Sequence, residues 1–552
     1  MALSRCVNNK VGYYMVVALI GLASGILVSG LEIFYTYLTS LLSMVRSAIP
    51  FILITGAVFF ISYTLVRGLT TDKRTGSGAH SFLNSLHFKG GDFTLRDTII
   101  KPLASVLTIA AGGSAGLEGP SIVAGSGLAS IISRRLGFNK RQMRILYLAG
   151  AAAGLSAIFK APFTGILFVL EMPYKFDIEK DAFFEATTAS LIAYLVSILL
   201  TGSKDIFGIA VYTTFSINIL PYLLIFGVVA GVYSMLFVRS FQMLSRASRA
   251  LSFKKRVRYL VPIIGLSLGA MYYFFPLTTG LGYAIIPFLI TGSTITISTL
   301  LILLVLKAIT TDLTLTMGGS GGLLIPSLLD GAILGALFSR LMLGHITPLF
   351  VAVGMAAVLA GTHKMILTPT AFIAEVIGPL AVIPSLIVTA VSYASSFNVS
   401  FYPTQLRNRE AYNSLDTVVL YDAIKNKERA SAITVNDIMT PVEFYLIDSE
   451  TIMEGRKKFD RSNARALPLL NPKGKFEGMI EERDLEGKRA SIKIGALATH
   501  DLYLMSGSSI RDVIEIYRKE GEKGLAIVDN DFALLGLIYP ENIKELIIKM
   551  SG

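Results

Sequence analysis

Apolar runs long enough to cross a bilayer dominate this chain from residue 11 to residue 396. They lie at 11–41, 48–66, 191–201 with its flanks, 219–238, 259–276, 283–307, 331–359 and 378–396. About 20 apolar residues are needed for one helical span. Three further segments, 99–133, 146–172 and 313–339, are shorter and interrupted by glycine. Broken helices at membrane depth are tolerated only where they line a cavity or a binding site. The first part of the chain is therefore expected to be an α-helical polytopic membrane domain.

Charge divides the chain at the same place. Residues 1–403 hold 28 Lys/Arg and 14 Asp/Glu, leaving 22 and 24 of the totals of 50 and 38 for residues 404–552. The tail therefore reads as a soluble domain and the basic excess belongs to the membrane part. That excess has three readings: loops retained on the cytoplasmic side, attraction to anionic lipid, or a field that draws anions inward. Basic clusters at Arg134, Arg135, Lys140, Arg141 and Arg144, and at Arg246, Arg249, Lys254, Lys255, Arg256 and Arg258, are expected on the cytoplasmic side together with both termini. The basic residues sit in short loops between apolar runs, which argues against nucleic acid as a partner. A single cysteine, Cys6, rules out an internal disulfide framework and a cysteine-rich metal site. The run behind Arg5 and Lys10 is too long for a signal peptide and lacks a clear cleavage site. No Walker loop, nucleophile–base pair or metal cluster points to an enzyme.

The membrane part repeats itself. Residues 112–122 read GGSAGLEGPSI and residues 318–328 read GGSGGLLIPSL, identical at seven of eleven positions. A second match follows in the same order, KAPFTGILFVLE at 160–171 against KMILTPTAFIAE at 364–375. Paired, glycine-interrupted segments in corresponding halves point to a transporter site. Their chemistry suits an anion: a helix N-terminus exposes unpaired N–H groups and about half a positive charge. Glycine allows close backbone approach, and proline fits the first helical turn. GLEGP at 116–120, GGLLIP at 321–326 and TGSGAH at 75–80 all have this form, with Ser77 offering a hydroxyl. Glu118 is an ionisable residue within a membrane segment, a functional-site hypothesis by default. Placed at a helix start, its carboxylate can occupy the position of an anion, and protonation would release it.

The chain resembles the CLC family of chloride channels and transporters with tandem CBS domains, from about residue 11 to its end. The three family segments read GSGAH at 76–80, GLEGP at 116–120 and GLLIP at 322–326. The resemblance implies an internal inverted repeat with broken helices, followed by a soluble α/β CBS pair. It implies the boundaries 1–410 for the membrane domain, 411–432 for a linker, 433–490 for the first CBS domain and 491–552 for the second. It assigns the gating and proton glutamate to Glu118, and the anion site to Ser77, Gly78, Gly116, Leu117, Gly119, Leu323, Leu324 and Tyr402. Tyr402 is expected to open the last membrane helix, with Tyr412 the alternative. Ala79 and His80 depart from the family's Ile-Pro, and Leu117 replaces a common basic residue. In the family's antiporters FIIEEM supplies an inner proton-carrying glutamate. Here the sequence is FVLEMP at 168–173, so Glu171 matches a structural glutamate and the proton position is Met172.

In the tail, the units TVNDIMT with ALPLLNPKGKFEGMIEERDL and KIGALAT with GLAIVDNDFALLGLIYPENI each read as an entry turn, a helix, two strands and a second helix. CBS pairs often bind adenine nucleotides, which makes ATP, ADP or AMP candidate regulatory ligands. The family's ribose pattern falls on Gly478, Glu481 and Asp484, then on Gly536, Tyr539 and Asn542. Tyr445, Tyr503 and Tyr539 are the candidates for stacking on adenine. A purely structural pair is the other reading of the tail. For the whole chain the resemblance implies a homodimer in the cell membrane, exchanging chloride for protons with no cofactor for transport. The alternative is a passive voltage- or pH-gated chloride channel.

Overall fold

The computed structural model describes residues 10–203, 207, 216–253, 257–291, 295–409, 434–462, 466–497, 499–520, 524–539 and 542. It divides into two compact units, residues 1–408 and 409–552. The expected linker 411–432 and Tyr412 lie outside the described residues.

The first unit is helical, and among the described residues seven helices are long and apolar enough to cross a membrane. In order these elements are α1 (Lys10–Ser43), α2 (Ala48–Leu69), β1 (Gly76–Ser77), α3 (Gly78–Phe88), α4 (Leu95–Ala110), α5 (Glu118–Arg135), α6 (Lys140–Phe159), α7 (Pro162–Glu171) and α8 (Phe183–Thr201). The second half continues with α9 (Leu220–Phe253), α10 (Val257–Phe274), α11 (Ile285–Thr291), α12 (Ile297–Thr316), β2 (Ser320–Gly321), α13 (Leu324–Leu343), α14 (Pro348–His363), α15 (Leu367–Val376) and α16 (Val382–Ser395).

Two expected continuous stretches are broken. The run 331–359 is divided between α13 and α14, because Gly344 closes α13 at φ 78° and Thr347 caps α14 with Pro348 in its first turn. A C-terminal glycine followed by a capped, proline-led start is a standard helix boundary, but hydropathy does not register it. The run 283–307 likewise separates into α11 and α12, the latter capped by Thr296 through Thr299 N.

The duplication is visible in matching contacts. Ser114 N donates to Thr314 Oγ1 at 3.0 Å, and Ser320 N donates to Thr108 Oγ1 at 3.2 Å. Each half thus supplies the hydroxyl that satisfies the other half's backbone. Helices α5 and α6 cross so closely at Gly125 and Gly150 that a Cβ on Gly125 would lie 2.1 Å from Gly150 O. Helices α13 and α14 meet in the same way, with 2.1 Å from a Cβ on Gly331 to Gly354 O. Lys160 and Lys364 occupy equivalent left-handed positions, at φ 53° and 58°. Helix association in lipid depends on such close packing of small residues.

The second unit holds two similar subdomains. One is β3 (Leu446–Ile447), α17 (Ile452–Ser462), β4 (Ala466–Leu470) and β5 (Phe476–Glu481); the other is β6 (Tyr503–Met505), α18 (Ile510–Glu520), β7 (Leu525–Val528) and β8 (Leu534–Ile538). In each sheet the first strand runs parallel to the second, and the second pairs antiparallel with the third. A side-chain-stapled turn joins the last two strands of each sheet: Asn471 Oδ1 accepts from Lys473 N and Lys475 N, and Asp529 Oδ1 from Asp531 N and Ala533 N. The second helix expected after β5 is only a short 3₁₀ turn, Glu482–Leu485. Gly487, at φ 68°, leaves the helical direction soon afterwards. After β8, most of the expected second helix lies outside the described residues.

Candidate functional site

The three glycine-rich segments meet. Strand β1 pairs in parallel with β2, Gly76 opposite Ser320 and Ser77 opposite Gly321. Gly116 N donates to Gly322 O at 3.0 Å. The starts of α3, α5 and α13 are thereby pinned to one another. Glycine is needed here because the backbones touch: a Cβ on Gly78 would lie 2.4 Å from Gly119 O, and one on Gly119 would lie 2.4 Å from Gly321 O. No rotamer change relieves a contact between a Cβ and a backbone oxygen.

Glu118 lies at the centre and is only 2% exposed. Its Oε1 accepts from Leu324 N at 2.7 Å and, more weakly, from Ile325 N at 3.4 Å. The carboxylate thus caps α13 from the opposite half of the repeat, where helix-end N–H groups favour negative charge. Of the two expected amides, Leu324 donates. Ile325 supplies the other contact, whereas Leu323 is the cap residue, whose carbonyl accepts from Ser327. Leu117 is the corresponding cap of α5 and is buried. Gly116 and Gly322 make room for the acid: a Cβ on either would lie 1.8 or 2.0 Å from a Glu118 oxygen. Among the described residues, Glu118 Oε2 and Ser77 Oγ are buried without a hydrogen-bond partner.

Tyr402 is 1% exposed and its ring packs against His80, in the first turn of α3. It does not open a helix, however; residues 402–409 form turns and bends. Ser400 and Gln405 hold this turn. Ser400 Oγ accepts from Tyr402 N, and Gln405 Nε2 bonds Met172 O, Tyr174 O and His363 O at 3.1, 3.3 and 3.1 Å. Met172 is fully buried at the end of α7. His80 and His363 flank the Tyr402 ring, at centroid distances of 5.0 and 5.3 Å.

Glu171 caps α15 and so has a structural task. Its carboxylate accepts from Ile366 N, Leu367 N, Thr368 N and Thr368 Oγ1 at 2.6–3.1 Å. Its repeat mate Glu375 does the same for α7, through Phe163 N, Thr164 N and Thr164 Oγ1 at 2.6–2.8 Å. Sequence reasoning missed this reciprocity, although the aligned terminal glutamates of the second repeat signal it. It also passed over Lys307, Asp312 and Asp330, all buried in α12 and α13. Tyr233 Oη bonds Asp330 at 2.9 Å and Ser240 Oγ bonds Asp312 at 2.6 Å.

In the tail, Asp484 has local duties. Its Oδ2 accepts from Glu481 N at 2.8 Å and faces His500 Nε2 at 3.0 Å. In the second subdomain Asn542 Oδ1 accepts from Tyr539 N at 2.7 Å. The two acceptors thus cap equivalent turns. Tyr445 is 40% exposed, with Lys458 Nζ over its ring at 5.3 Å. Tyr503 packs against Phe476 and Phe532.

A carboxylate-capped junction of three helix starts inside a duplicated, broken-helix membrane domain defines the class. The chain belongs to the CLC family: the family model described as voltage gated chloride channel matches residues 57–396, and a CBS domain matches residues 435–488. The second subdomain repeats the strand order of the first. The chain is 27% identical over 393 residues to the H(+)/Cl(-) exchange transporter ClcA of Vibrio campbellii, covering 68% of this chain and 84% of that protein. It is 29% identical over 311 residues to the voltage-gated ClC-type chloride channel ClcB of Escherichia coli, covering 54% and 72%. The crystal structure of a eukaryotic CLC transporter shares the fold, with a TM-score of 0.65 at 20% identity over 96% of this chain and 97% of that one.

Proposed function

We propose that this integral membrane protein exchanges chloride for protons, with one anion path in each subunit of a homodimer. The observation that carries the proposal is the Glu118 carboxylate seated on the α13 amides. A group that fills an anion position when charged and leaves it when neutral links anion passage to protonation. In this reading Ser77 and Tyr402 contribute hydroxyls to the anion, and Leu324 and Ile325 contribute amides. Gly78, Gly116, Leu117, Gly119 and Leu323 shape the backbone around it. The C-terminal unit and both termini face the cytoplasm, on the side of the basic clusters, in the cell membrane. The CBS pair adjusts the transport rate by binding ATP, ADP or AMP, with Asp484, Tyr445 and Tyr539 as contacts.

A passive chloride channel is the second reading, favoured by Met172, whose thioether carries no proton. The named relatives include both an exchange transporter and a channel. Reversal potential in reconstituted vesicles separates the two. An exchanger shifts its reversal potential when only the proton gradient changes, whereas a channel follows the chloride gradient alone.

A further inference from the structure

Resting on the proton-coupled reading, the geometry points to His363 as the proton carrier that replaces the side chain missing at Met172, with His80 beside it at Tyr402. His363 ends α14 and is fully buried. The Gln405 amide joins its carbonyl to that of Met172, at 3.1 Å each. The main chains at His363 and at Met172, the vacant proton position, therefore meet at one side-chain amide. On its other side the His363 ring meets Tyr402, whose ring also meets His80 in the first turn of α3, the helix whose start abuts Gly119 beside Glu118.

The tautomer follows from the hydrogen bonds. Thr362 Oγ1 lies 2.6 Å from Val358 O and can reach it only by donating its one proton. The same oxygen lies 2.8 Å from His363 Nδ1, so Nδ1 is assigned the N–H that donates to it. Nε2 then carries the lone pair. Among the described residues Nε2 has no hydrogen-bond partner, although it is buried, where polar atoms are usually satisfied. A basic nitrogen in that state is a proton acceptor.

The surroundings permit protonation to be transient. The titratable groups facing His363 are His80, whose Nε2 lies 2.9 Å from Phe401 O, and Tyr402. The adjoining Lys364 turns its ammonium away, to Tyr393 O at 2.8 Å and Ser396 Oγ at 2.7 Å. Among the described residues no carboxylate forms an ion pair with His363, so nothing holds it permanently charged. In the transfer, a hydronium ion arriving on the Met172 side gives its proton to Nε2, leaving water and imidazolium. Loss of that proton toward the Glu118 carboxylate gives the neutral acid and regenerates imidazole. No redox change occurs, and the only bonds made and broken are the O–H and N–H bonds that carry the proton. The repeat mate of His363 is Phe159, so the other half of the molecule has no such group.

The test measures proton and chloride fluxes together in voltage-clamped vesicles. Wild type should move protons against their gradient when driven by chloride. In His363→Gln chloride flux should persist while the proton-to-chloride ratio falls at least about tenfold. Adding Met172→Glu to that variant should restore the ratio. If His363→Gln fails to assemble, His363→Asn decides by the same criterion. An unchanged ratio in either assembled variant overturns the assignment of His363 and leaves the exchange reading intact. Wild type that moves no protons overturns both.

Discussion

Replacing Glu118 with glutamine removes the charge that competes with the anion while keeping the side chain's shape. The carboxylate holds its place mainly through one bond of 2.7 Å, to Leu324 N, the Ile325 contact at 3.4 Å adding little. A hydrogen bond to a charged group contributes about 1.5–3 kcal/mol net, and a neutral one about 1 kcal/mol. An arriving anion therefore has roughly 0.5–2 kcal/mol less to overcome in Glu118→Gln. At 1.4 kcal/mol per factor of ten, chloride should bind roughly 2- to 30-fold more tightly. Calorimetric titration of chloride into the purified protein reads this directly. Chloride flux in the variant should also lose most of its dependence on pH, because glutamine has no second protonation state. Unchanged affinity together with a retained pH profile would refute the competition between carboxylate and anion.

Ser77→Pro should raise nitrate permeability relative to chloride several-fold in vesicle flux assays, since proline removes the hydroxyl whose Oγ is buried and unpartnered among the described residues. Wild type that already prefers nitrate would show that Ser77 does not select chloride. Purified full-length protein should release heat and gain thermal stability with ATP, ADP or AMP, and Asp484→Ala should abolish both. Silence at millimolar nucleotide would leave Asp484 only its local contacts with Glu481 N and His500 Nε2. In the tail, the Thr451 N–H and hydroxyl hold the Glu454 carboxyl below its ordinary value of 4.5, and Thr434 does the same for Asp437 below 3.8. Folded values below the unfolded ones stabilise above the unfolded pKa, and that stability is lost as pH falls through the folded value. The melting temperature of the C-terminal unit should therefore drop as pH falls from about 4.5, and Glu454→Gln should flatten that drop. Identical profiles for the two proteins would remove the capping argument.

Much of the membrane half is legible in the sequence because lipid permits few solutions. The repeat between 112–122 and 318–328 leads directly to the meeting of Gly116 with Gly322 and of Glu118 with Leu324. What escapes is whatever depends on the partner rather than on the segment. Nothing local to Glu171 says that it caps α15, nor to Glu375 that it caps α7; only the crossing of the two halves does. The helix expected at Tyr402 is instead a turn, because Ser400 and Gln405 tie its backbone into neighbouring loops. Hydropathy merges α13 with α14 because Gly344 and Pro348 interrupt a helix without making it less apolar. In the tail, the family pattern at Asp484 overlaps a capping pattern, and both ask for the same carboxylate at the same spacing. His363 was overlooked because a histidine at the end of an apolar helix looks ordinary until Gln405 connects it to Met172.

The central claim is that passage of chloride is coupled to protonation of Glu118 despite methionine at position 172. Its most direct test is proton uptake by wild-type vesicles given a chloride gradient, no starting pH gradient, and an ionophore that clamps the voltage. Coupled exchange predicts uphill proton movement that stops in Glu118→Gln while chloride continues to flow. Robust chloride flux with no proton signal in wild type would contradict it and establish the passive channel.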